Sequence, residues 1–310
     1  MVKRIPLYFL TGFLGSGKTT VLKYLLTQLP DKKVGVIQNE FGKLSIDGDV
    51  LRNDDITMIE LSRGSIFCSC LQLSFVEALV DMAKQPLDLV FVESSGWGDP
   101  SNATEILEGV EVLAPEAYDY RGTICLVDGL NYPEQLSETE TALRQVQYAQ
   151  LALLSKTDLI DEEQKERVIR LIREENPEVE ILPIQNGIIP IEILEAEWTT
   201  KPKKASSPTS NREETKPKTI SLNYEGAISR TVLESILQEI SEDTFRIKGF
   251  GNTDEGWMKI DAVESKIDFI PEANGEESRL VFISKVGPKV IRTIDQVWKA
   301  KTDHPMQLKN

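Results

Sequence analysis

Along the first part of the chain, short apolar runs alternate with longer stretches in which apolar residues recur at helical spacing. The runs "IPLYFLTG" (5–12), "KVGVIQN" (33–39), "LDLVFVES" (87–94), "RGTICLVDG" (121–129), "AQLALLSK" (149–156) and "VEILPIQ" (179–185) predict strands. Between them, Thr19–Leu29, Ser74–Lys84 and Glu162–Glu175 predict helices. In the last of these, "EEQKERVIRLIREEN", Val168, Ile169 and Ile172 gather on one side while charges at i,i+4 spacing occupy the other, as on a surface helix. Nearly continuous apolar strands separated by helices imply an α/β fold, a mostly parallel sheet flanked by helices.

The pattern breaks at Thr199–Lys218, "TTKPKKASSPTSNREETKPK", which is rich in Pro, Ser, Thr and Lys. Such a stretch has too little to bury and reads as a flexible linker. Beyond it the order becomes "TISLNY" (219–224), a helix near 229–241, "TFRIKGF" (244–250), "GWMKIDAVESKIDFIP" (256–271), "RLVFISK" (279–285) and a final helix near 288–300. That order predicts a small α+β domain with an antiparallel sheet. The expected organisation is an α/β domain over 1–198, a linker over 199–218 and an α+β domain over 219–310.

Charge narrows the partners. A net charge of −15 argues against nonspecific binding to nucleic acid or to an anionic membrane, both of which need basic surfaces. No apolar run approaches the roughly 20 residues of a membrane span. The opening "MVKRIPLYFLTGFLGSGKTT" turns apolar but passes into a glycine loop without a small-residue cleavage site, unlike a secretory signal. Three cysteines do not make a disulfide framework, and the expectation is a reduced, cytoplasmic protein.

The strongest chemical signal is "GFLGSGKTT". Gly12, four residues, then Gly17, Lys18 and Thr19 fit the phosphate-loop pattern G-x-x-x-x-G-K-[ST], with a strand before it and a helix after it. Glycines let backbone amides curl around phosphates, and the helix N-terminus adds its positive dipole end. Gly12, Gly15, Ser16, Gly17, Lys18, Thr19 and Thr20 are therefore the expected nucleotide-binding residues of a P-loop NTPase. Lys18 is expected at the β- and γ-phosphates and the Thr19 hydroxyl on Mg2+.

Two further elements lie at ends of predicted strands. "LVFVESSGWGDP" offers Glu93 for the metal, directly or through water, and Gly96, whose amide would bond the phosphate that leaves. "LLSKTDLID" offers Asp158 to pair with the guanine ring N–H and exocyclic amine, with the Lys156 stem lying across the base; Ser155 stands where Asn is usual. This favours GTP over ATP. Asn186, in "PIQNG", is a candidate for backbone contacts to the base, and "VIQNEFGKLSIDGD" (36–49) is a candidate switch with Glu40 available to a metal ion.

Cys68 and Cys70 lie one residue apart in "GSIFCSCLQ". Both sulfurs could reach one ion at about 2.3 Å, and thiolates favour Zn2+ or Co2+ over Mg2+. Two thiolates do not suffice for structural zinc; Glu40 could add an oxygen and leave an open position, as suits a carrier. The alternative is that both are small packed residues. Cys125, inside "TICLVDG", is expected in the core, and the four tryptophans are expected to be packing anchors.

With "TGFLGSGKTT", "NEFG", "CSC", "ESSGWGDP", "LVDG" and "SKTD" in that order, the chain resembles the CobW-type metallochaperone GTPases, relatives of the nickel-insertion GTPases of urease and hydrogenase maturation. "RIKGF" and "RLVFISK" resemble that family's C-terminal domain. The resemblance implies a slow GTPase whose nucleotide state switches metal binding and docking to a client metalloprotein or cofactor-assembly protein. It implies that Lys18, Thr19, Glu40, Glu93, Gly96 and Asp158 hold GTP and Mg2+. The family's Cys-x-Cys-Cys falls on Cys68 and Cys70, but its third cysteine is Leu71 here. The histidine-rich stretch that many members carry between domains has no counterpart, because the sole histidine is His304. Those departures leave a GTPase adaptor without metal handling as one alternative. A P-loop kinase for a small molecule is another, which a preference for ATP would reveal.

Overall fold

The computed structural model describes residues 4–38, 56–61, 72–196, 217–263, 266–275 and 277–309. By internal contacts the chain divides into two units, Met1–Thr215 and Lys216–Asn310.

In the first unit, β1 (Ile5–Gly12) is the middle strand of a seven-stranded sheet. It is joined by β2 (Val34–Gln38), β3 (Ile56–Glu60), β4 (Leu89–Glu93), β5 (Tyr118–Asp128), β6 (Leu151–Ser155) and β7 (Glu180–Pro183) in the order β3-β2-β4-β1-β5-β6-β7. Every pairing is parallel. The helices are α1 (Lys18–Thr27), α2 (Gln72–Ala83), α3 (Ala103–Leu113), α4 (Tyr132–Glu138), α5 (Glu140–Gln147) and α6 (Glu162–Glu175).

Strand alternation divides the core. Tyr8 and Leu10 of β1 and Phe91 of β4 pack with Val21, Leu22 and Leu25 of α1. Their neighbours Leu7, Phe9, Val90 and Val92 pack on the opposite face with Phe75 and Leu79 of α2 and Ile106 of α3. Burial on both faces explains why these strands read as unbroken apolar runs. The short edge strand β3, "ITMIE", was not anticipated, and Val168 and Ile172 are the buried stripe of α6 as its spacing predicts.

The second unit is an antiparallel sheet in the order β11-β10-β9-β12-β8-β13, formed by β8 (Thr219–Tyr224), β9 (Thr244–Thr253), β10 (Gly256–Val263), β11 (Lys266–Pro271), β12 (Ser278–Ser284) and β13 (Met306–Lys309). Its core holds Leu233, Ile236 and Ile240 of α7 (Arg230–Ser241) and Ile294 and Trp298 of α8 (Val290–Lys301). The run 256–271 is two strands rather than one, paired from Met258↔Pro271 to Val263↔Lys266. The tail beyond α8, for which the sequence reading named no element, adds β13 beside β8. None of the described helices is long and apolar enough to cross a membrane.

Phe91 is fully buried, with its ring 5.4 Å from that of Tyr8, beneath α1. Truncating such a ring removes its transfer energy and leaves a cavity. Phe91→Ala should lower the unfolding free energy of this unit by about 3–5 kcal/mol in chemical denaturation. A loss below about 1 kcal/mol would contradict the packing described.

Candidate nucleotide site

Parallel strands deliver their carboxyl ends to one edge of the sheet, where open α/β folds bind ligands. Here that edge carries the loop after β1, Gln38 of β2, Glu93 of β4, Asp128 of β5, Ser155 of β6 and the turn after β7.

The loop after β1 turns at Gly12, whose φ is +137°; a Cβ there would stand 2.4 Å from the Leu126 carbonyl oxygen. α1 then starts without a side-chain cap and without an acidic residue in its first turn. By contrast α6 is capped by Asp161, which accepts from the Gln164 amide at 2.8 Å, and has Glu162 and Glu163 in its first turn. The N-terminal amides of α1 are thus kept from carboxylates of its own first turn, as an anion site requires. Lys18 is buried and folds back over the loop, donating to the carbonyls of Gly12 at 2.8 Å and Phe13 at 3.0 Å. The Ser16 hydroxyl is buried without a hydrogen-bond partner among the described residues.

Beside the loop lies a buried carboxylate. Glu93, 4% exposed, accepts from the Thr19 hydroxyl on Oε1 at 2.6 Å and from Gln38 Nε2 on Oε2 at 2.8 Å. A buried carboxylate is costly unless hydrogen-bonded, and here donors meet both oxygens. Gln38 escaped the sequence reading. Its signal was a polar residue closing an apolar strand, and the register sets it directly beside Glu93. The hard oxygens of Thr19 and Glu93 within hydrogen-bond reach of each other fit a magnesium ion at this spot.

The turn after Glu93 is closely held. A Cβ on Gly96 would lie 2.4 Å from Leu14 Cδ2 and 2.8 Å from the Leu14 amide nitrogen, so only glycine fits against the phosphate loop. Trp97 packs on Phe13 with ring centroids 5.3 Å apart. From α5, Gln145 Nε2 donates to the carbonyls of Gly96 and Gly98, and Arg144 Nε donates to Asp99.

The other end of the site is built by the ends of β6 and β7. Ser155 Oγ lies 2.8 Å from the Ser16 carbonyl oxygen and 3.1 Å from that of Val127. The residue that departs from the usual Asn therefore ties the end of β6 to the phosphate loop. Lys156 has φ +58°, and its ammonium bonds the fully buried Asp128 at 2.6 Å. Asp158 follows on an exposed 3-10 turn. Thr157 donates to the Ile184 carbonyl at 2.8 Å, joining this turn to the one after β7. There Asn186 is exposed with φ +53°, and Gly187 closes on α1: a Cβ would lie 2.7 Å from Thr20 Cγ2.

The metal candidates Glu40, Cys68 and Cys70, with Leu71 and Trp198, lie outside the described residues. Cys125 is buried in β5, where desolvation pushes its thiol up to about 12, so it is a packed thiol rather than a thiolate ligand. Trp97 and Trp298 are buried and Trp257 half-buried. The ring nitrogen Nδ1 of His304 lies 3.1 Å from the Glu225 carbonyl oxygen. Among the described residues no group of three or more His, Cys, Asp or Glu side chains is arranged to hold a metal ion.

The chain is similar to several proteins of known name. The zinc chaperone YjiA of Escherichia coli (strain K12) is 31% identical over an alignment of 264 residues that covers 79% of this chain and 81% of the relative. The zinc-regulated GTPase metalloprotein activator 1 of Dictyostelium discoideum is 27% identical over 229 residues, 62% of this chain and 48% of that protein's length. The crystal structure of Zn(II)-bound YjiA GTPase from E. coli aligns over 97% of this chain and 100% of that one, at 24% identity and a TM-score of 0.49. The model of the family described as "CobW/HypB/UreG, nucleotide-binding domain" matches residues 6–183, from β1 to the end of β7. That span is more than half of the chain, and the chain belongs to the CobW/HypB/UreG family.

Proposed function

We propose that the chain binds GTP with Mg2+, hydrolyses it slowly, and uses the nucleotide state to control delivery of a zinc- or cobalt-type ion to a client protein. The observation that carries this is the buried Glu93 carboxylate, bonded to Thr19 at the foot of a phosphate loop whose helix is left uncapped. The names of the relatives, a zinc chaperone and a zinc-regulated GTPase activator, support the metal half of the proposal.

In this scheme the phosphates take the place of the Gly12 and Phe13 carbonyls as partners of the Lys18 ammonium, while the amides of 15–20 cradle them. Thr19 and Glu93 hold Mg2+, which supplies charge neutralisation at the phosphates. Phosphoryl transfer needs positioning and electrostatics more than covalent help, and the Gly96 amide bonds the terminal phosphate. Asp158 accepts both donors of the guanine edge. The Asp128 carboxylate holds the Lys156 stem in place across the base. Cys68, Cys70 and Glu40 bind the cargo ion with one position left open for transfer. GTP acts on that ion by favouring one arrangement of 39–48 and 64–72. The unit from 219 onwards, joined through the linker 199–218, is the part assigned to the client, and the site of action is the cytoplasm.

Asp158→Asn should weaken GTP binding by about 10–100-fold, since a bidentate charge-assisted contact is lost, and leave ATP binding as weak as before. Calorimetry with both nucleotides checks this; an unchanged GTP affinity contradicts the guanine assignment.

Replacing Cys68 and Cys70 by Ser should reduce zinc affinity of the reduced chain at least about 100-fold, because serine does not supply a thiolate. GTP affinity in the absence of zinc should stay the same. Unchanged zinc binding would favour an adaptor that does not handle metal through these residues, as the Leu71 position suggests.

A further inference from the structure

We propose that α5 is a positioning element for the reaction. Arg144 and Gln145 clamp the turn 96–99 so that the Gly96 amide faces the terminal phosphate before nucleotide arrives. The inference rests on the GTPase reading above and concerns residues to which that reading gives no role.

α5 is eight residues long, and Arg144 and Gln145 on it are only 3% and 1% exposed. Gln145 Nε2 donates to two carbonyls of the same turn, Gly96 at 3.2 Å and Gly98 at 2.9 Å. Arg144 Nε donates to Asp99 Oδ2 at 2.7 Å, and Asp99 Oδ1 accepts from the Ser101 amide at 2.9 Å. The guanidinium also lies 5.4 Å from the Tyr148 ring centroid and 3.5 Å from Glu140. Consecutive residues of one helix thus grip the turn at three points, while Leu14 presses on Gly96 from the phosphate loop. A further bond inside the turn, from the Gly98 amide to the Ser95 carbonyl at 2.9 Å, closes it.

Stability alone does not account for this choice of residues. A buried ion pair adds little over well-packed apolar residues of the same volume. Gln145 also carries a cost, because its Oε1 is buried without a hydrogen-bond partner among the described residues. A leucine and a methionine would hold α5 against the sheet; they would not fix the carbonyl directions of Gly96 and Gly98. The Gly96 amide shares its peptide plane with the Ser95 carbonyl, which accepts from the Gly98 amide. Pinning the Gly96 and Gly98 carbonyls holds the turn that makes this bond, and so the direction in which the Gly96 amide points. Preorganised donors aimed at developing charge are the largest single source of catalysis in such sites.

The test uses the full chain and three measurements: affinity for a fluorescent GDP, affinity for a nonhydrolysable GTP analogue, and single-turnover GTP hydrolysis. In Gln145→Leu, GDP affinity should stay within about threefold of wild type, because GDP uses the phosphate loop and base turn. The preference for the GTP analogue over GDP should fall by about tenfold and the hydrolysis rate by about 10–100-fold. Arg144→Met should behave similarly, while Arg144→Lys, which keeps a cation on Asp99, should recover most of the rate. Wild-type values in both Gln145→Leu and Arg144→Met overturn the clamp, as does an equal loss for GDP and the GTP analogue. Should these variants fail to fold, amide exchange of nucleotide-free wild type decides. Residues 97–98 should exchange within about tenfold of β4, and exchange about 100-fold faster than β4 overturns preorganisation. A wild-type chain that binds no guanine nucleotide overturns the GTPase reading and this inference together, whereas variants that match a working wild type overturn the clamp alone.

Discussion

The carboxylate of Glu93 is the constraint around which the first unit is arranged. It sits at the end of β4, the third strand from the β3 edge, buried, with Gln38 on one side and the first turn of α1 on the other. Such a group is tolerable only if both oxygens find donors, so the strand ends of β2 and β4 and the start of α1 must arrive together. The parallel sheet makes that possible, because each crossover returns the chain so that strands end on the same edge. Gln38 immediately precedes Asn39 and Glu40 in sequence. In the proposed scheme, a change at the phosphates that moves Thr19 or Glu93 would reach Gln38, the residue before the candidate switch.

The same edge draws the two ends of the candidate site together. Ser155 bonds the phosphate loop at Ser16, Gly187 closes on Thr20, and Thr157 ties the turn that carries Asp158 to Ile184. Ser155, Thr157 and Gly187 are not among the residues proposed to touch the nucleotide; Ser155 and Gly187 act on Ser16 and Thr20, which are. These contacts fix the turns after β6 and β7 against the phosphate loop, which a loop-built site otherwise leaves loose. Gln145 of α5 likewise bonds the Gly96 carbonyl.

Much of this was legible in the sequence, and the exceptions share a cause. The strands of the parallel sheet announced themselves because both faces are buried, as in "LDLVFVES" around Phe91, and the phosphate loop did so because glycine, lysine and threonine at that spacing have few other uses. Lys156 and Asp158 were found from a motif, but Asp128, the partner of Lys156, was not, since a carboxylate after an apolar run carries no label. Gln38, Arg144 and Gln145 were missed for the same reason: their importance lies in what they meet across the sheet, and pairings between distant segments leave no local pattern. The strand β13 went unseen because "MQLK" is short and takes its order from β8. For Ser155 the sequence showed a departure from the expected Asn; the structure gives its use.

Metal delivery requires more than two adjacent sites, because GTP changes the fate of an ion only if it favours metal-bound and metal-free arrangements unequally. The direct measurement is zinc affinity of the reduced, full-length chain, titrated with and without a nonhydrolysable GTP analogue and Mg2+. The account predicts that the affinity changes by at least about fivefold, and that zinc changes the affinity for the analogue by the same factor. Equal zinc affinities in the two titrations would contradict it.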